Sequence, residues 1–186
     1  MRPGLRYAFL GITGPVILGI LALGFLPGGL ELKITRVKGE ATLFEVLLKP
    51  GELFTIRYNH SVEDSPIWES HSADKKGNIF IEEEKYLKFG AGMGKMPGVG
   101  RMVTRGPFEV IEGMHLPVGD FILRIGSPGV DHTLIFRDTE INLSACAPHE
   151  AVQFKATPVS LAYSLYKKLL PLIRPEMHSR VRRGGY

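Results

Sequence analysis

Beyond Pro27-Gly28-Gly29 the chain alternates: Leu30, Leu32 and Ile34 interleave with Glu31, Lys33 and Thr35. This is the period of a strand with one buried face, and it constrains the fold strongly because a period of two cannot give a helix a continuous apolar stripe. The rhythm recurs in "ATLFEVLLK", across a Lys38-Gly39-Glu40 turn, and in "ELFTIRYNHSV". There Phe54, Ile56, Tyr58 and His60 share one face, and Leu53, Thr55, Arg57 and Asn59 the other. "PIWESHSA" and "NIFIEEEKYL" follow, separated by the polar "DKKG" turn, and then "FEVIEG", "DFILRIG", "HTLIFRD" and "TEINLSACA". With 22 glycines and 13 prolines as punctuation, about eight to ten short strands are predicted. The expected fold is mainly β, an antiparallel β-sandwich or partly closed barrel of roughly 130 residues.

The first part of the chain follows another rule. From Tyr7 to Pro27 no residue is charged, and as a helix Tyr7–Leu26 would span about 30 Å, the thickness of a bilayer's hydrocarbon core. Arg2 and Arg6 precede it, which predicts a cytoplasmic amino terminus and a domain on the outer side of the cell membrane. Three readings fit: an N-terminal hydrophobic helix acting as a transmembrane anchor through residues 7–26; a signal peptide cleaved near Ala22–Gly24, leaving a secreted or periplasmic domain; or a buried helix. Lys33, Arg36 and Lys38 weaken the charge bias.

The expected organisation is therefore a leading segment over 1–28, a β-rich exported domain over 29–148, and an amphipathic segment with a basic tail over 149–186. In that last part Leu161, Leu165, Leu169 and Leu172 recur near helical spacing, and Pro171 limits the short C-terminal helix. Lys167, Lys168, Arg174, Arg180, Arg182 and Arg183 face Glu176 alone, so the tail carries more positive charge than the chain's net +4 and the rest of the chain is slightly negative. The tail suits its own domain, a partner's groove or anionic lipid. A near-neutral domain whose basic residues lack an interleaved aromatic platform argues against nucleic acid. Cys146 stands alone, so no intramolecular disulfide can form, and it is expected to be a small buried hydrophobe.

Residues 58–71, "YNHSVEDSPIWESH", concentrate the chemistry. After a turn near Pro66, Ile67, Glu69 and His71 share one strand face, and Trp68 and Ser70 the other. If the flanking strands pair, His60 comes near Glu69 or His71. Imidazole and carboxylate can ligate zinc or a similar metal, but the spacing matches no H-E-x-x-H motif. A hydrolytic or metal-dependent envelope enzyme would use the His60/Glu69/His71 region, with Glu63 or Glu69 as a general base. A ligand or partner site is a second reading. In the third, a purely structural membrane-associated protein, His60 braces a turn and Trp68 fills the core.

"YNHSVEDSPIWE", with "EEKYLKFGAGMG" downstream, resembles the DUF1850 family of uncharacterised domains found beside TAXI-type TRAP transporters. The family's His-Ser-Val-Glu block falls on His60, Ser61, Val62 and Glu63; its Ser-Pro and later glutamate fall on Ser65, Pro66 and Glu69. Its tyrosine followed by Gly-Ala-Gly falls on Tyr86, Gly90, Ala91 and Gly92, although Met93-Gly94 stands where the family has leucine-proline. The resemblance spans most of residues 30–145. It implies a non-catalytic accessory or ligand-binding domain, with a TRAP transporter component or its substrate-binding protein as partner. The binding residues expected on that reading are His60, Ser61, Glu63, Glu69, His71, Tyr86, Gly90 and Gly92. No cofactor is named by these residues. The glycines of "FGAGMGKMPGVG" match neither a Walker A loop nor a dinucleotide fingerprint and suit positive-φ turns or close strand approach.

Overall fold

The computed structural model describes Gly19 and residues 22–60, 63–87 and 98–173. These form eleven strands: β1 Pro27–Arg36, β2 Thr42–Leu48, β3 Phe54–His60, β4 Ser65–Ala73, β5 Ile79–Tyr86, β6 Arg101–Arg105, β7 Phe108–Pro117, β8 Phe121–Arg124, β9 Thr133–Phe136, β10 Thr139–Asn142 and β11 Ala151–Ser160. Two helices accompany them, α1 (Leu143–Cys146) and α2 (Leu161–Ile173). A seven-stranded sheet runs β10-β9-β3-β4-β5-β7-β6, and a four-stranded sheet runs β2-β1-β11-β8. Both are antiparallel and both end in open edges, so the fold is a two-sheet arrangement and not a closed barrel. The alternation explains the inner faces directly: Leu30, Leu32 and Ile34 of β1, and Phe54 and Ile56 of β3, are all buried.

Residues 30–157 make up one compact unit. Inside it the sheets meet through aromatic side chains. Phe54 of the large sheet stacks on Phe154 of the small one at 6.3 Å, and Phe121 stacks on Phe154 at 4.7 Å. Burying such side chains stabilises the fold by about 1.5–3 kcal/mol each before conformational entropy is set against it. Residues 1–29 and 158–186 make up the other unit. Its described part includes α2, whose first turn is capped where the Tyr163 N–H donates to Ser160 Oγ.

Several expectations are corrected. The two helices α1 and α2 lie in the C-terminal half, Gly19, Ala22 and Leu23 are also helical, and among the described residues no helix is long and apolar enough to cross a membrane. The transmembrane helix, the membrane partner through residues 7–26 and the single-pass placement with the domain outside all lose their support. Of residues 7–26, only Gly19 and 22–26 are described. The basic tail beyond Ile173, and with it the expected anionic-lipid contact, also lies outside the described residues. Cys146 is exposed at the end of α1 and is not a buried hydrophobe. Trp68 does not fill the core: it lies half-buried on the face opposite Glu69, edge-on to Phe108, with the Lys85 ammonium over its ring at 4.5 Å.

Candidate functional site

The central hairpin sets the geometry. Strands β3 and β4 pair in register from Phe54↔His71 to His60↔Ser65. Period two then puts Tyr58, Ile67, Glu69 and His71 on the inner face of the large sheet. Strand β5 adds a residue that changes the count. The β4–β5 register slips between Ser70 and His71, and the β5–β7 register between Ile81 and Glu83, which leaves Glu82 in a bulge. Ahead of it, Ile79 and Ile81 oppose Ala73 and His71; beyond it, Glu84 and Tyr86 oppose Glu69 and Ile67. Had the alternation continued, Glu83 and Lys85 would have turned inward instead.

The result is a strip of polar side chains on an apolar face. Glu69 and Glu84 are directly opposite each other, and Ile67 lies between Tyr58 and Tyr86 in the adjoining row. His71 is 1% exposed and is held between Phe54, at 5.1 Å, and Phe121, at 5.2 Å. Its Nε2 lies 3.0 Å from Glu69 Oε1 and its Nδ1 3.1 Å from the Glu69 carbonyl oxygen. Both oxygens only accept, so both contacts are hydrogen bonds only in the doubly protonated ring. The Tyr86 hydroxyl donates to Glu84 Oε2. Across β3, Tyr58 stacks on His132 at 5.3 Å, and His132 Nδ1 accepts the Gly126 N–H at 3.0 Å.

Burial dominates the electrostatics of this strip. It pushes the Glu84 carboxyl above its usual range; the neighbouring Glu69 adds to the rise, and the Tyr86 hydrogen bond opposes it. Burial, with Glu69 and Glu84 nearby, pushes the Tyr58 hydroxyl up to about 12. Tyr86 is raised as well, by burial and then by its bond to Glu84. His132 moves the other way: burial disfavours its charged form, and Glu69 offsets only part of that. The strip therefore favours neutral tyrosines, a neutral His132 and a proton on Glu84.

Of the residues expected from sequence, Glu69, His71 and Tyr86 come together here. His60 lies at the far end of β3, where its Nδ1 accepts the Glu63 N–H at 3.2 Å across the turn; its geometry braces the hairpin. Ser61, Gly90 and Gly92 lie outside the described residues. Glu84, Tyr58 and His132 were not singled out by sequence reasoning. A bulge signal at "IEEEK" would have been needed to place Glu84, and a contact distant in sequence to place His132. Among the described residues, no group of three or more His, Cys, Asp or Glu side chains is arranged to hold a metal ion.

A second cluster involves the bulge residue itself. Glu82 Oε1 accepts from Ser72 Oγ at 2.5 Å and lies 3.0 Å from His115 Nδ1. A nucleophilic triad places histidine between the acid and the serine. Here the glutamate is in the middle, so His115 is not positioned to take the Ser72 proton.

These features define an open, two-sheet antiparallel β protein with a half-buried carboxyl–tyrosine–histidine strip along the centre of its larger sheet. The chain matches the DUF1850 family, described as a domain of unknown function, over residues 54–143. That span begins at the first residue of β3, ends at the first of α1, and contains the whole strip. No curated protein and no solved structure matches the chain.

Proposed function

We propose that this chain is a non-catalytic accessory domain that binds a small ligand along the Glu69–Glu84 strip, next to a TRAP-type carboxylate transport system. One observation carries the binding reading. The two facing carboxyls each commit one oxygen within the chain, to His71 and to Tyr86, while no hydrogen bond among the described residues falls on Glu69 Oε2 or Glu84 Oε1. Half-buried carboxyl oxygens that no described group bonds, beside aromatic side chains, are the kind of sparse, fixed polar groups that orient a ligand. Glu69, His71 and Tyr86 hold the centre of the proposed site; His60, Ser61, Glu63, Gly90 and Gly92 belong to it only by family resemblance. That resemblance, to domains found beside TAXI-type TRAP transporters, is also the support for a transport role.

Two measurements test the parts separately. In a thermal-shift screen of the full chain against small carboxylates, amines and amino acids, at least one class should raise the melting temperature, and Glu69→Gln should abolish the gain. A screen with no stabilising compound would contradict ligand binding. Affinity purification of the tagged chain should recover a TRAP component or its substrate-binding protein. Recovery of neither would contradict the transport role while leaving binding intact.

A further inference from the structure

A titratable side chain sits where the two sheets meet. His71 of the large sheet is 1% exposed and lies between Phe54 of its own sheet, at 5.1 Å, and Phe121 of the small sheet, at 5.2 Å. Phe121 opens β8, a four-residue strand at the edge of the small sheet, held there by its pairing with β11. The crossover that brings β8 from the large sheet is short. The Val118 and Gly119 N–H groups donate to the Ile79 carbonyl oxygen at 2.9 and 3.0 Å, and Asp120 pairs with Lys155 of β11 at 3.5 Å. So short an edge strand has little ladder of its own, and its hold on the large sheet rests on the ring stack at His71.

Geometry sets the number of protons beside that stack. A Glu69 carboxylate oxygen at Nε2 and the Glu69 carbonyl oxygen at Nδ1 are both met only when the imidazole carries two protons. The imidazolium offsets one carboxylate, that of Glu69. Glu84 stands directly opposite Glu69 on β5, and among the described residues no lysine or arginine forms an ion pair with either. A second carboxylate there has no countercharge, and Glu84 keeps its proton; its carboxyl is raised chiefly by burial, with Glu69 adding to the rise. The other titratable groups around the cluster supply no charge to it. Burial keeps Tyr58 of β3, Tyr86 of β5 and His132 ahead of β9 neutral. Asp120 is paired with Lys155, and Arg124 of β8 is exposed.

We infer that Glu69, His71 and Glu84 form a proton-operated clasp between the sheets, which holds β8 and its crossover against the large sheet at low pH and releases them as pH rises. Losing the Glu84 proton sets two carboxylates face to face. Losing a His71 proton turns a ring-nitrogen lone pair onto an oxygen of Glu69. Either change leaves buried polar groups uncompensated beside the Phe121 ring, and lifting the short edge strand to admit water is the smallest rearrangement that relieves it. The sign follows from the raised Glu84 carboxyl: its contribution is complete below the unfolded value of 4.5 and is lost as pH rises through the folded one. The clasp needs no ligand and stands apart from the binding reading above.

The test is amide hydrogen exchange of the full chain at about pH 5.5 and about pH 8, with rates corrected for the intrinsic pH dependence of exchange. Protection of the amides over 118–124 should fall by about tenfold or more between the two conditions, the size of one unit of pKa difference, while β1 and β2 change by less than about threefold. Glu84→Gln should shrink the fall over 118–124. Glu69→Gln/Glu84→Gln should abolish it, because a glutamine amide can turn its N–H toward a neutral imidazole. Circular dichroism verifies the folding of each variant, and if the double variant does not fold, Glu84→Gln alone decides. Equal protection of 118–124 at both pH values in the parent would overturn the inference. So would a fall that Glu84→Gln leaves undiminished, or one shared equally by β1 and β2, which would report opening of the whole unit and not of a clasp.

Discussion

Glu84 and His71 show how one side chain's surroundings decide its contribution. Because burial and Glu69 raise the Glu84 carboxyl, the folded state holds a proton there that the unfolded chain releases. Stability from this group is present at low pH and falls as pH rises above its unfolded value of 4.5. Glu84→Gln removes that decline. The variant should be at least as stable as the parent at neutral pH, with a flatter stability profile above 4.5 in urea titrations; a variant clearly less stable at neutral pH would contradict the assignment. His71 acts through packing and pairing together. His71→Ala empties a space between two phenylalanine rings and removes the partner of Glu69, and a loss of about 3 kcal/mol is expected in the same assay. Glu69 and His71 were readable as one-face neighbours from period two alone. Glu84 was not, because the bulge at Glu82 reverses the alternation that Ile79 and Ile81 begin, and nothing in three consecutive glutamates shows which of them is the extra residue.

At the scale of the element, the strands were the most readable part of the chain. Leu30-Leu32-Ile34 and Phe54-Ile56 report their burial through spacing, and the Lys38-Gly39-Glu40 and Asp74–Gly77 turns join hairpins as expected. Strand β11 was not readable: "AVQFKATPVS" contains Pro158 and runs straight into the leucine-spaced helix, so local pattern merges it with the segment that follows. Its end matters nonetheless. A Cβ added to Gly28 of β1 would come within 2.2 Å of the Ser160 carbonyl oxygen, a backbone atom with little freedom to yield. Gly28→Ala should therefore cost about 2 kcal/mol, the range of over-packing at a close contact, and a variant with unchanged melting would refute the close approach. For the uncharged stretch at 7–26, hydropathy and length suggested a span; only Gly19 and 22–26 of it are described, and among the described residues no helix is long and apolar enough to cross a membrane.

For the molecule as a whole, acid sensitivity follows from opposing titrations. Burial lowers the His132 pKa below 6.5, so the native state binds fewer protons there than the unfolded chain, and stability is lost as pH falls from 6.5 downward. Below 4.5 a further loss sets in as Glu52, held low chiefly by its bond to Arg137, becomes protonated. Thermal unfolding of His132→Asn should show a shallower loss of stability just below 6.5 than the parent, whatever its absolute melting temperature; an identical slope would remove His132 from the account. Sheet order was beyond the reach of the sequence for a related reason. Strand β3 pairs with β9 as well as with β4, and His132 reaches Tyr58 only through that distant pairing, which local spacing cannot specify.

The proposed binding strip requires above all that Glu69 and Glu84 lie opposite each other and half-buried. A carboxyl-detected NMR titration of the full chain, with Glu84 assigned through the Glu84→Gln variant, measures this. The Glu84 resonance should titrate above 4.5 and move to lower pH in Glu69→Gln. A midpoint at or below 4.5 that is indifferent to residue 69 would show that the two carboxyls do not share a site, and the proposed binding strip would go with them.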